Sequence, residues 1–169
     1  RRKELAAEPS GIKLKRYVNK EIGFSVEYDT ELMVGVYPLE PPFVLRNTSI
    51  RGIPGILVAV DDIPQGLKLE KSEQYVTEFI KGRNQFSDIY VNHKEMIRLA
   101  DGRTVNYFEI GVKFMATAGP LVLAGVVGYK GKKMICVVAT GPPDVPIEYL
   151  KSMVQSLKFD ADKKMMSHL

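Results

Sequence analysis

Cysteine is nearly missing from this chain: Cys136 is the single one in 169 residues. One thiol excludes an internal disulfide and any multi-cysteine zinc site. Histidine is almost as scarce, with only His93 and His168, which leaves little for metal or triad chemistry. No run reaches the roughly 18 apolar residues that a membrane-spanning helix needs. GxSxG, HExxH and CxxC are all absent. Gly125, Gly128 and Gly131 form no GxGxxG and lie in a hairpin pattern rather than before a helix, so no phosphate loop is indicated.

What is present is the mixture of a globular protein, 45% hydrophobic and 26% charged, which speaks against wholesale disorder. The length suits one domain. A chain of this size buries roughly 70% of the surface that its unfolded form exposes, so it needs neither metal nor disulfide to fold.

The net charge of +4 invites a nucleic-acid reading. Its location argues otherwise. Residues 1–20 hold seven basic and two acidic side chains, so the rest of the chain is slightly acidic. Nucleic-acid binders concentrate Lys and Arg on a folded face and add aromatics for stacking; no such cluster occurs here. Residues 1–15 lack an apolar period and contain Pro9-Ser10-Gly11, which predicts a flexible basic leader. The chain starts at Arg1 rather than Met, so the expectation is a processed or truncated form.

Phe24, Val26 and Tyr28 alternate with polar residues, the period of a half-buried strand. Prolines 38, 41, 42 and 54 break residues 30–54 into short edge strands and loop. Gly55–Ile63 is an apolar, β-branched strand that ends in Asp61-Asp62. Tyr75, Val76, Phe79 and Ile80 form one helical stripe after Ser72, with Gly82 as the stop. From Asp88 to Thr140 the pattern predicts four strands joined by turns at Asp101-Gly102, Ala118-Gly119-Pro120 and Lys130-Gly131. Ile147, Leu150, Val154 and Leu157 mark a second helix that Asp144 could cap, and Lys158-Phe159 returns to extended chain. Residues 160–169 are a patternless polar tail.

A two-residue turn at Asp101-Gly102 sets Ile89 opposite Phe114, Val91 opposite Val112, His93 opposite Ile110 and Glu95 opposite Phe108, all on one apolar face. The other face then pairs Lys94 with Glu109 and Tyr90 with Lys113. A turn at Lys130-Gly131 sets Val127 opposite Met134 on one face and Val126 opposite Ile135 on the other. Both of those faces are apolar, so the strands must be covered twice. The expectation is an α+β fold: a three-layer α/β/α sandwich with a central, mostly antiparallel sheet between helices 72–82 and 145–156.

Four side chains are candidate binding residues. His93 and Glu95, two apart on one strand face, could act as an acid–base pair or line a pocket; the plainer reading is a histidine satisfied by its neighbour. Asp61 and Asp62 sit at a strand end where hard cations bind, although such ions want more oxygens from a defined loop. Cys136, in an apolar strand, is expected to be a core thiol rather than a nucleophile. No metal and no cofactor is expected.

Three segments carry a resemblance: residues 17–28 (YVNKEIGFSVEY), the strand Gly55–Val60 with the following helix, and residues 149–159 (YLKSMVQSLKF). Over about residues 17–159 the chain resembles the PsbP family of photosystem II subunits and bacterial relatives, the Ran-binding Mog proteins and DcrB-like exported domains. It departs from the family's proline-and-tryptophan phrase after the first strand: Asp29-Thr30-Glu31-Leu32-Met33 stands there, and the chain has no Trp. The resemblance implies binding or assembly rather than catalysis, in a periplasmic or otherwise exported setting, with a cytoplasmic location as the alternative. Any lipid anchor would precede Arg1, because Cys136 is the sole cysteine. Photosystem and Ran roles have no matching residue signature. The expected partner is another protein or a small ligand, not nucleic acid. The alternative function is a small hydrolase or ligand-modifying enzyme that uses His93 with Glu95. The expected organisation is a leader over 1–15, one domain over 16–159 and a tail over 160–169.

Overall fold

The computed structural model describes residues 14–29, 41–47, 55–82, 86–114 and 120–160. The expected leader up to residue 13, the tail beyond 160 and most of the Ala118-Gly119-Pro120 turn lie outside these residues.

Among the described residues, two antiparallel sheets and two helices make up an α+β sandwich. The small sheet runs β1 (Leu14–Asn19), β2 (Phe24–Asp29) and β9 (Lys158–Phe159). The large sheet has the order β3-β4-β8-β7-β6-β5, built from Phe43–Asn47, Gly55–Asp62, Phe86–Arg98, Thr104–Phe114, Leu121–Lys130 and Lys133–Gly141 as β3 to β8 in chain order. Helix α1 (Glu73–Lys81) lies on one face of the large sheet, behind a short 3-10 turn at Leu69–Lys71. Helix α2 (Ile147–Val154) lies on the other face together with β2. The second face is therefore covered by a helix and a small sheet, not by a helix alone.

The apolar rows of the central strands explain this double cover. Val127, Cys136 and Val138 point toward α1 and meet Val76 and Ile80. Val126, Ile135 and Val137 point the other way, against Leu150, Val154, Phe24 and Val26. Burying each such side chain stabilises the fold by about 1.5–3 kcal/mol.

The β7–β8 turn is centred on Gly131-Lys132, one residue later than expected, so Val127 faces Cys136 instead of Met134. Gly131 alone takes positive φ, at +61°, which suits the first turn position. A shift of two in the pairing leaves every side chain on its expected face.

The β5–β6 hairpin differs more. Leu99 N–H donates to Arg103 C=O and Gly102 N–H to Leu99 C=O, both at 2.9 Å, which closes a three-residue loop. Gly102, at φ +91°, occupies the left-handed position that ends such a loop. The pairing slips by one, so His93 faces Glu109, Lys94 faces Phe108 and Glu95 faces Tyr107, and Lys94 lies on the opposite face from Glu109. Tyr90 faces Gly111 rather than Lys113, after a second irregularity between Val91 and His93. The expected Lys94–Glu109 pairing is thus corrected. Because β5 is an edge strand whose side chains are mostly exposed, burial has little hold on its register, and loop geometry decides it.

Neither helix N-terminus carries a side-chain cap. The Ser72 hydroxyl donates to the Leu69 carbonyl at 2.7 Å instead of capping α1, and α2 starts at Pro146 without a side-chain cap from Asp144.

Candidate functional site

His93 and Glu95 stand on the α2 face of β5, at the outer edge of the large sheet. Alternation along a strand puts residues i and i+2 on one face whatever the register. Their side chains meet, with Nε2 of His93 3.0 Å from Oε2 of Glu95, and are 46% and 44% exposed. The His93 hydrogen bond, helped by the charge of Lys151 3.7 Å away, holds the Glu95 carboxyl below its usual value. The Lys151 ammonium, from α2, also sits 4.6 Å from the centre of the Tyr107 ring. The Tyr107 hydroxyl donates to Glu109 at 2.5 Å, and burial raises its pKa.

This cluster forms an open shelf. General acid–base catalysis works best where water is excluded and a third group positions the substrate; here both partners are half in solvent. An apolar cavity does exist, but on the opposite face of the sheet, between α1 and β3, β4 and β8.

Asp61 and Asp62 do not join the cluster. Strands β8, β7 and β6 separate β4 from β5, roughly 19 Å at sheet spacing. Alternation also parts the two carboxylates from each other. Asp61 accepts a 2.6 Å hydrogen bond from the Tyr75 hydroxyl and so braces α1. Asp62 pairs with Lys133 at 2.8 Å, which lowers its pKa. Among the described residues no three His, Cys, Asp or Glu side chains converge on a point where a metal could sit. Cys136 is buried, and desolvation pushes its thiol up to about 12, as suits a core residue.

Three exposed apolar side chains accompany His93 and Glu95 on the same strand: Tyr90 at 51%, Val91 at 42% and Met96 at 41%. Sequence reading singled out none of them for a site. The signal was there in the run Tyr90–Met96, but only the sheet order shows that this run forms an edge. Lys151 could not be foreseen, because nothing in the sequence says which strand α2 crosses.

Similar architecture occurs in solved structures. Cyanobacterial PsbP (CyanoP) from Synechocystis superposes with a TM-score of 0.60 and 14% identity, over 88% of this chain and 93% of that one. The Saccharomyces cerevisiae Ran-binding protein Mog1p superposes with a TM-score of 0.61 and 11% identity, over 88% of this chain and 96% of that one. The chain has the PsbP/Mog fold. No protein-family sequence model and no curated protein sequence matches it. Identity this low establishes the likeness in fold alone, so the PsbP/Mog architecture gives the frame on which the β5 shelf is mounted. Among the described residues no helix is long and apolar enough to cross a membrane.

Proposed function

We propose that this chain is a non-catalytic binding domain that engages another protein along the free edge of β5. The observation that carries this reading is the exposure of Tyr90, Val91 and Met96 on a strand with no neighbour on its outer side among the described residues. A long edge strand offers unpaired N–H and C=O groups to a partner, and its side chains then select which partner fits. His93, Glu95 and Lys151 supply polar groups on the α2 face of this edge, while Val91 and Met96, paired with Ile110 and Asn106, lie on its α1 face. That one protein of the same fold is described as Ran-binding agrees with a protein-binding role. Export belongs to the same reading and rests on the resemblance to exported families; the full reading frame tests it by the presence of a signal sequence.

The hydrolase reading needs His93 and Glu95 in a recess, and the half-exposure of both side chains among the described residues favours the binding reading. The deciding experiment compares binding partners retained by the wild type and by a Val91→Glu, Met96→Glu variant of unchanged circular dichroism. Loss of a stoichiometric partner from the variant, but not from a Lys132→Glu control on the distant β7–β8 turn, supports the edge. Equal retention by all three overturns it.

A further inference from the structure

Most charges along β5 are already matched. Glu95 meets His93 and Lys151, Lys94 meets Glu73, and Asp88 lies 3.8 Å from Lys113. Arg98 is different. It is exposed, and among the described residues its guanidinium has no ion-pair or hydrogen-bond partner.

The pairing of β5 with β6 runs unbroken only over His93–Arg98, because irregularities interrupt it between Ser87 and Tyr90 and between Val91 and His93. Two rows of side chains stand on that regular stretch. Lys94 reaches Glu73 of α1, so alternation puts Met96 and Arg98 on the α1 face with it. His93, Glu95 and Ile97 stand on the α2 face, where Ile97 packs against the core. Every pair in the large sheet is antiparallel. A further strand laid in the same sense sets one residue opposite Arg98 and the residue two later opposite Met96. An acid at the first place meets the unmatched guanidinium, and an apolar side chain at the second covers the exposed methionine.

A second copy of β5 does not fill these places. The register that sets Met96 against Met96 puts Lys94 opposite Arg98 twice, and like charges directly opposite repel. Glu95 lies on the other face and is already matched.

Resting on the edge reading given above, we infer that β5 takes up an extended segment of a partner protein with an acidic residue followed, two places later, by an apolar one. The acid lies against Arg98 and the apolar side chain against Met96.

The acetylated, amidated peptide Glu-Val-Leu-Thr-Thr-Tyr is a suitable probe, with the same peptide bearing Lys for Glu as its control. In an NMR titration of the labelled protein, the first is expected to move the amides of His93–Arg98 saturably and the second to bind about tenfold more weakly. Arg98→Glu is expected to invert that preference and Arg98→Gln to level it. N-methylation of one alternate set of peptide amides is expected to abolish binding and of the other set to spare it, because an added strand turns only every second N–H toward its neighbour. Equal binding of both peptides at these amides overturns the acidic preference and leaves the edge itself standing. Shifts absent from His93–Arg98, or indifferent to N-methylation, overturn strand addition at this stretch; the edge reading is judged separately by partner retention in the Val91→Glu, Met96→Glu variant. Shifts of these amides that grow with protein concentration before any peptide is added reveal a second copy and overturn the assignment too.

Discussion

The Lys94 ammonium lies 3.1 Å from the Glu73 carboxylate and ties the outermost strand of the large sheet to the first turn of α1. Glu73 is buried, and Asn106 donates to its other oxygen at 3.0 Å and to the Ser72 hydroxyl at 3.1 Å. The network is incomplete, because Oδ1 of Asn106 has no partner. A polar group of this kind is tolerated only where its neighbours are well satisfied.

Replacing Lys94 with Met leaves a buried carboxylate without its cation. We expect a loss of about 1–3 kcal/mol, measured by urea unfolding, whereas Lys94→Arg retains most of the stability. An unchanged midpoint for Lys94→Met would mean that the ion pair adds nothing.

Gly125 faces Val138 on one side and Phe108 on the other. A Cβ at Gly125 would meet the Phe108 ring at 2.5 Å and Val138 at 3.3 Å. Gly125→Ala should cost about 1–3 kcal/mol through overpacking. Combining it with Phe108→Leu should cost less than the two singles added together, a coupling that a double-mutant cycle reads directly. Simple additivity would show that the ring is not what excludes the methyl group.

Alkaline pH should destabilise the fold through two phenols. Burial, reinforced by hydrogen bonds to Glu109 and Asp29, raises the pKa of Tyr107 and Tyr149 above the usual 10. A raised folded-state pKa means that the stabilisation is complete below pH 10 and is lost as pH rises beyond it, because the unfolded chain ionises first. Melting temperatures between pH 10 and 12 should fall steeply for the wild type and less steeply for Tyr107→Phe and Tyr149→Phe. Parallel profiles for all three would remove these tyrosines as the cause.

Cys136 should resist alkylation at pH 8 in the folded protein and react at once in urea. Its thiol is buried and has been pushed up to about 12, so almost no thiolate is present or reachable. The native labelling rate should follow the opening of the sheet, and therefore fall in step with stabilising substitutions. Rapid labelling without denaturant would contradict the burial.

Much of this fold is legible in the sequence where burial dictates it. Val126, Val127, Ile135 and Cys136 lie on their expected faces although the turn beside them is displaced, because an even shift preserves alternation. Lys94 is the counterexample. An odd shift moved it to the α1 face, and β5 buries too little to have signalled the choice. The first strand of the small sheet was not foreseen, since Leu14–Asn19 is almost wholly exposed and has no apolar period to detect. At the candidate site, the His93–Glu95 contact follows from spacing alone. The cavity does not: it arises where α1 leaves β3, β4 and β8 uncovered, a property of helix placement that no local pattern encodes.

Phe24 pairs with Phe159 in the small sheet, so the last short strand completes a structure begun by the first residues of the fold. This arrangement sets a timetable. At synthesis rates of 5–20 residues per second, roughly 7 to 27 seconds separate the appearance of the two phenylalanines. During that interval β2 has its partner β1 but not β9, and its apolar face must wait for α2 as well. A nascent chain halted before Ile147 would therefore display Phe24, Val26 and Tyr28 to whatever lies nearby, and chaperone engagement should be concentrated in that window.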